Sequence, residues 1–206
     1  MANHSYRVRA GWLAPFLVPS CLLFFLTACT PGGTQLAFER SKLGVDAYLA
    51  TLSNTPADTT AIDEGLSRFN RVYADLTHPD IGAFVDTAYA PTLYFNDTLH
   101  TFTERDGLRE YLMQTGKNIN QSSVDIQQVL IQDTDVFVRW TMYFQVGEGD
   151  QAIRSHSIGI SHLRFNSEGQ VVLHQDYWDS AGALYTHLPV VGGILRAAQK
   201  QVGQPK

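Results

Sequence analysis

Between Ser122 and Asp179 the chain is written in period two. "SSVDIQQVLIQD", "VFVRWTMYFQV", "AIRSHSIGISHLRFN" and "VVLHQDYWD" are rich in β-branched and aromatic residues, and "TD", "GEGDQ" and "SEGQ" separate them. Successive residues of a strand point to opposite faces, so such segments suit half-buried strands joined by tight turns. Upstream the period is helical. "IDEGLSRFNRVYADL" sets Leu66, Phe69, Val72, Tyr73 and Leu76 on one stripe, and "THPDIGAFVDTAY" buries Ile81, Phe84, Val85 and Ala88. Thr77 is expected to cap that second helix, with Pro79 in its first turn. "PTLYFND" and "TLHTFT" read as short strands, and "ERDGLREYLMQTG" as a third helix capped by Thr103. The order is two helices, two strands, one helix, four strands. Without a βαβ rhythm this predicts an α+β domain: a curved, cone-shaped antiparallel sheet with three helices from the N-terminal half over one side.

The N-terminus is of another kind. Arg7 and Arg9 precede an apolar run from Trp12 to Leu26, which is short for a membrane span of about 20 residues. A basic start, an apolar stretch and small residues before a cut are the marks of a secretion signal. Leu26-Thr27-Ala28-Cys29 resembles the bacterial lipobox, which implies cleavage before Cys29 and lipid on its thiol. Thr30, rather than an aspartate, follows it, which by the same resemblance implies the outer membrane, facing the periplasm. The expected divisions are a signal at 1–28, a tether with a short helix at 29–60, the domain at 61–185 and a helical tail at 186–206.

Cys21 falls in the signal and Cys29 carries lipid in this reading, so the mature domain has no disulfide and rests on its core. The chain carries 15 basic and 20 acidic residues, and no basic patch points to nucleic acid. The tail "LYTHLPVVGGILRAAQK" is expected to pack on its own domain.

The helix "RFNRVYADL", then "AYAPTLYFND", "ISHLRFNSEGQVV" and "HQDYWD", resemble the nuclear transport factor 2-like superfamily, which includes SnoaL-like polyketide cyclases and ketosteroid isomerases. The resemblance spans roughly residues 62–185. It implies a cavity inside the cone, and an outer sheet face, here with His156, His162 and Arg164, through which such folds often form homodimers. It places Asp97 where ketosteroid isomerases hold a general base and Tyr73 where they hold an oxyanion donor. Ser161 stands where they hold a protonated acid, a departure that weighs against steroid isomerisation and leaves enolate-type proton transfer open.

If Ser161 points inward, as the resemblance implies, alternation sets Ser155, Ser157, Gly159, Leu163 and Phe165 on the same inner face; the same matching implies Trp140, Met142 and Phe144 on the preceding strand and His174, Asp176 and Trp178 on the last. An apolar wall with a few polar groups suits a small hydrophobic molecule. A carboxylate beside an imidazole, as His174 and Asp176 would be, suits a general base. Each residue has a plainer reading. Asp97 can begin a turn, Tyr73 and the tryptophans can be core, and Ser161 can simply make room. His174-x-Asp176 offers two metal ligands with no clear third, and no cofactor is expected. Two functions stay open: cofactor-free proton transfer, isomerisation or cyclisation on a hydrophobic molecule, and a lipid-anchored binding or assembly module of the envelope.

Overall fold

A computed structural model describes residues 31–202; the proposed signal and Cys29 lie outside the described residues. Helix α1 spans Pro31–Asn54. It begins earlier than the composition of "TPGGTQ" suggests, with Pro31 at a helical first turn, where its missing N–H costs nothing. Helices α2 (Ile62–Tyr73), α3 (Ile81–Ala88) and α4 (Arg105–Asn118) follow the predicted apolar stripes. Strands β1 (Tyr89–Asn96) and β2 (Thr101–Glu104) form a hairpin, and β3 (Gln121–Gln132), β4 (Asp135–Val146), β5 (Ile153–Phe165) and β6 (Val171–Trp178) form a meander.

The six strands lie in the order β2-β1-β6-β5-β4-β3. Four pairings are antiparallel, and β1 runs parallel to β6. Alternation reports the face a residue takes, not the direction of the neighbouring strand. A register shift between Ile126 and Gln128 bends β3, as an extra residue in one strand does. Inside the curve, Phe69, Val72, Val85, Leu108, Val136, Val138, Phe165 and Val171 form one buried core.

Neither threonine cap forms. The Thr77 amide and hydroxyl both donate to Asp75 Oδ1, at 2.8 and 2.7 Å, so Thr77 serves the turn before α3. Asp80 stands at the α3 cap position. Thr103 is held inside β2, and Glu104 occupies the boundary of α4.

On the outer face the last turns of α1, from Tyr48, cover part of β5. Tyr48 Oη lies 2.8 Å from His162 Nδ1, and Arg164 donates to the Leu52 carbonyl at 2.7 Å. Asp135 Oδ1 accepts from Arg164 Nε at 2.5 Å and meets His162 Nε2 at 2.8 Å. The Arg164 guanidinium holds the Asp135 carboxyl below the usual range, while burial pushes the His162 imidazole down despite Asp135 beside it. A neutral ring satisfies both contacts: Nε2 donates to the carboxylate and Nδ1 accepts the tyrosine proton.

After β6, Asp179 caps the short helix α5 (Ser180–Ala183), its Oδ1 accepting from the Gly182 amide at 2.8 Å. Ser155 Oγ donates to the Ala183 carbonyl at 2.7 Å and fastens this segment to the sheet. Helix α6 (Val191–Val202) follows. Arg196 ties it to the Thr186 carbonyl at 2.9 Å, and Val191, Ile194 and Val202 stay exposed, so its apolar stripe is not covered as expected.

Candidate functional site

A cavity of about 250 Å³ opens between α2, α4 and the inner face of the sheet. The rows of the sheet explain its walls. Trp140, Gly159 and Trp178 stand in one row across β4, β5 and β6, and Val138, Ser161 and Asp176 in the next. A side chain at Gly159 would put its Cβ 2.4 Å from the Trp140 ring, so the missing side chain is what lets the indole lie over β5.

Of the residues singled out from sequence, Tyr73, Asp97, Trp140, Met142, Phe144, Ser161, His174, Asp176 and Trp178 line this cavity. Leu163 does not. It stands one row deeper, between Val136 and His174, and is wholly buried in the core. Alternation gives the face of a residue and not its depth, and β5 passes from the cavity into the packed end between Ser161 and Leu163.

The polar wall is a continuous hydrogen-bonded chain. Trp140 Nε1 donates to Ser161 Oγ at 2.9 Å, and Ser161 Oγ donates to Asp176 Oδ1 at 2.5 Å. His174 Nε2 lies 2.8 Å from the same Oδ1. On the other side of the ring, Nδ1 lies 2.8 Å from Tyr89 Oη, which lies 2.8 Å from Tyr73 Oη. Tyr73 itself is 3.5 Å from Nδ1, the long limit of such a contact. His174 is 1 % exposed and Asp176 13 %, so the imidazole is enclosed while the carboxylate meets the cavity.

The donors fix the directions. An ionised carboxylate only accepts, so Nε2 carries a proton and a neutral ring accepts at Nδ1. Tyr89 then gives its single proton to His174 and accepts that of Tyr73. Burial pushes both hydroxyls well above their ordinary range; the Tyr89 phenol beside it raises Tyr73 further, and the bond from Tyr73 draws Tyr89 partly back. Ser161 and Tyr73 have therefore spent their protons inside the wall, while Asp176 Oδ2 has no hydrogen-bond partner among the described residues.

Asp97 is differently engaged. Its Oδ1 accepts from the amides of Leu99 and His100 at 2.9 and 2.7 Å, and its Oδ2 from Tyr111 Oη at 2.6 Å. Trp178 Nε1 donates to its carbonyl at 2.8 Å. It forms the β1–β2 turn and the cavity wall together. Tyr89 and Tyr111 were not among the sequence candidates for the site. Tyr89 reads as the end of a helix, and its partner His174 lies 85 positions on, so nothing local marks it. Among the described residues no group of three or more His, Cys, Asp or Glu side chains is placed to hold a metal, and no helix is long and apolar enough to cross a membrane.

A curved sheet wrapped around helices, with a mostly apolar cavity and one polar wall, defines a nuclear transport factor 2-like domain. The family model of the SnoaL-like domain matches residues 69–174, and the chain belongs to that family. Solved structures agree on the fold. TsrD from Streptomyces laurentii is similar at 14 % identity and TM-score 0.50, over 62 % of this chain and 94 % of its own. An LEH-like epoxide hydrolase of M. tuberculosis is similar at 17 % identity and TM-score 0.50, over 69 % of this chain and 95 % of its own. Among curated proteins there is no match.

Proposed function

We propose that the cavity binds a small, largely hydrophobic molecule and that the His174–Asp176 pair moves a proton on it without a cofactor. One observation carries this reading: Asp176 lines a mostly apolar cavity, is held at Oδ1 by two donors, and has no partner for Oδ2 among the described residues. A carboxylate so placed is fixed in direction and free to accept a proton, whereas both oxygens of Asp97 are taken. The family includes isomerases and cyclases, which supports the same class of chemistry.

Small lipophilic ketones are expected to perturb the indole signals of Trp140 and Trp178 in NMR. The protein is expected to speed exchange of deuterium at the carbon beside the carbonyl. Asp176→Asn keeps the shape of the wall and should slow that exchange by about 100-fold or more, the usual worth of a positioned acid or base. Exchange at the wild-type rate in this variant would remove Asp176 from the role.

The segment ending in Leu26-Thr27-Ala28-Cys29 supports a second part of the proposal, a lipid on Cys29 that holds the domain at the outer membrane facing the periplasm. Cys29→Ser should move the protein from the membrane fraction to the soluble one. Retention on the membrane would refute the anchor.

A further inference from the structure

The chain of hydrogen bonds does not end at the histidine. It continues through Tyr89, which is 0 % exposed, to Tyr73, which lines the cavity. Both steps are 2.8 Å, while the direct path from Tyr73 to the ring is 3.5 Å. A fully enclosed tyrosine bridging a cavity hydroxyl to a buried imidazole makes a path for protons.

We propose that Tyr73 and Tyr89 form a proton wire from the cavity to Nδ1 of His174, and that the site accepts molecules with a weakly acidic hydroxyl, phenols and enols, as their anions. This deepens the proposed function and rests on the cavity being a binding site. In the transfer, the ligand O–H bond breaks and its proton bonds to Tyr73 Oη. The proton of Tyr73 passes to Tyr89 Oη, and that of Tyr89 to Nδ1. The ligand keeps the electron pair as an oxyanion, and the imidazolium stands 2.8 Å from the Asp176 carboxylate, which compensates its charge.

The same transfer reverses every bond in the wire. Nδ1 now donates to Tyr89, Tyr89 to Tyr73, and Tyr73 to the new oxyanion. Before transfer Tyr73 offers the ligand a lone pair; afterwards it offers a proton. The site thus makes its oxyanion donor by taking up the ligand's proton, and Ser161, committed to Asp176, is not needed for it.

One further observation fits. Burial holds both tyrosine hydroxyls far above the range in which they ionise, so neither keeps the negative charge and each can only relay the proton. The groups facing His174 are Phe69 and Tyr73 from α2, Tyr89 and Phe95 from β1, Leu163 from β5 and Asp176 on its own strand, and the titratable His162 of β5 lies near enough to interact with it electrostatically.

Para-nitrophenol tests this, because its anion absorbs in the visible and its neutral form does not. Purified protein is mixed with it at a pH where most of it is neutral in water. The expected result is an anion band on binding, together with a shift of the His174 Nδ1 signal from its unprotonated to its protonated position in nitrogen NMR. Tyr89→Phe and His174→Gln should each still bind the phenol, seen at the Trp140 and Trp178 indole signals, and lose the band. Two results overturn the wire. One is a wild-type complex whose bound phenol stays neutral with the ring unchanged. The other is a band that survives both substitutions and disappears in Asp176→Asn, which would mean direct transfer to the carboxylate. Absence of binding by the wild type to both ketones and phenols is the distinct outcome that removes the cavity reading, and this inference with it. The nitrogen signal needs no variant, so poor folding of Tyr89→Phe does not shield the proposal.

Discussion

Gly116→Ala is expected to lower stability by about 3 kcal/mol, against an intrinsic helix preference that favours alanine by about 1 kcal/mol. The steric effect wins because of what the new methyl meets. A Cβ at Gly116 would lie 2.0 Å from the carbonyl oxygen of Leu76 and 3.0 Å from its carbon. These are backbone atoms, which cannot swing aside as a side chain can. Nor is this backbone free to retreat: the N–H of the same peptide, that of Thr77, donates to Asp75 Oδ1 at 2.8 Å, and the Leu76 N–H donates to Ser122 Oγ at 2.9 Å. Helix α4 must therefore move away from the end of α2. Leu76, Leu112, Thr115 and Ile119 all line the cavity, so the same displacement should weaken ligand binding. Urea titration measures the loss as a lower midpoint at unchanged slope. A change under 1 kcal/mol would show that this contact relaxes more readily than the backbone packing implies.

What could be read from the sequence follows from what periodicity encodes. The switch from a helical period to period two located the four long strands, and alternation put His174 and Asp176 on the face with Trp140 and away from Tyr177. It carried no information on depth, and so Leu163, which shares a face with Ser161, belongs to the core. It carried none on strand direction, and so the parallel pairing of β1 with β6 is legible only in the assembled sheet. Thr77 and Thr103 have the right chemistry for caps, but a nearby Asp75 and the pairing of β2 claim them first. Tyr89 was hidden for a different reason. Its neighbours in sequence suggest a helix end, and its hydroxyl acquires meaning only when β6 is laid beside β1. The departure of Ser161 from the ketosteroid-isomerase pattern was visible in sequence; its partners Trp140 and Asp176 turn that departure into a support for the carboxylate.

His174→Leu and Asp176→Leu are each expected to cost about 3 kcal/mol, and the double variant should lose about 2 kcal/mol less than their sum. Removing the histidine alone leaves the Asp176 carboxylate with one donor fewer and Tyr89 without its acceptor. Removing the aspartate alone leaves Nε2 and Ser161 Oγ with protons and no acceptor. In the double variant the largest of these penalties, an uncompensated charge at a mostly buried position, is gone. Apolar side chains there would sit against Phe69 and Phe95, whose rings lie 5.5 and 4.8 Å from that of His174. Replacing a buried polar pair by apolar groups is often close to neutral for this reason. Urea unfolding of the four proteins at neutral pH gives the coupling, and strict additivity would mean that the two side chains do not act as a pair. The same four proteins separate stability from chemistry. All three variants should lose proton exchange on bound ketones, whatever their stability. A double variant that regains stability and stays inert would show that the pair is kept for moving a proton rather than for holding the sheet.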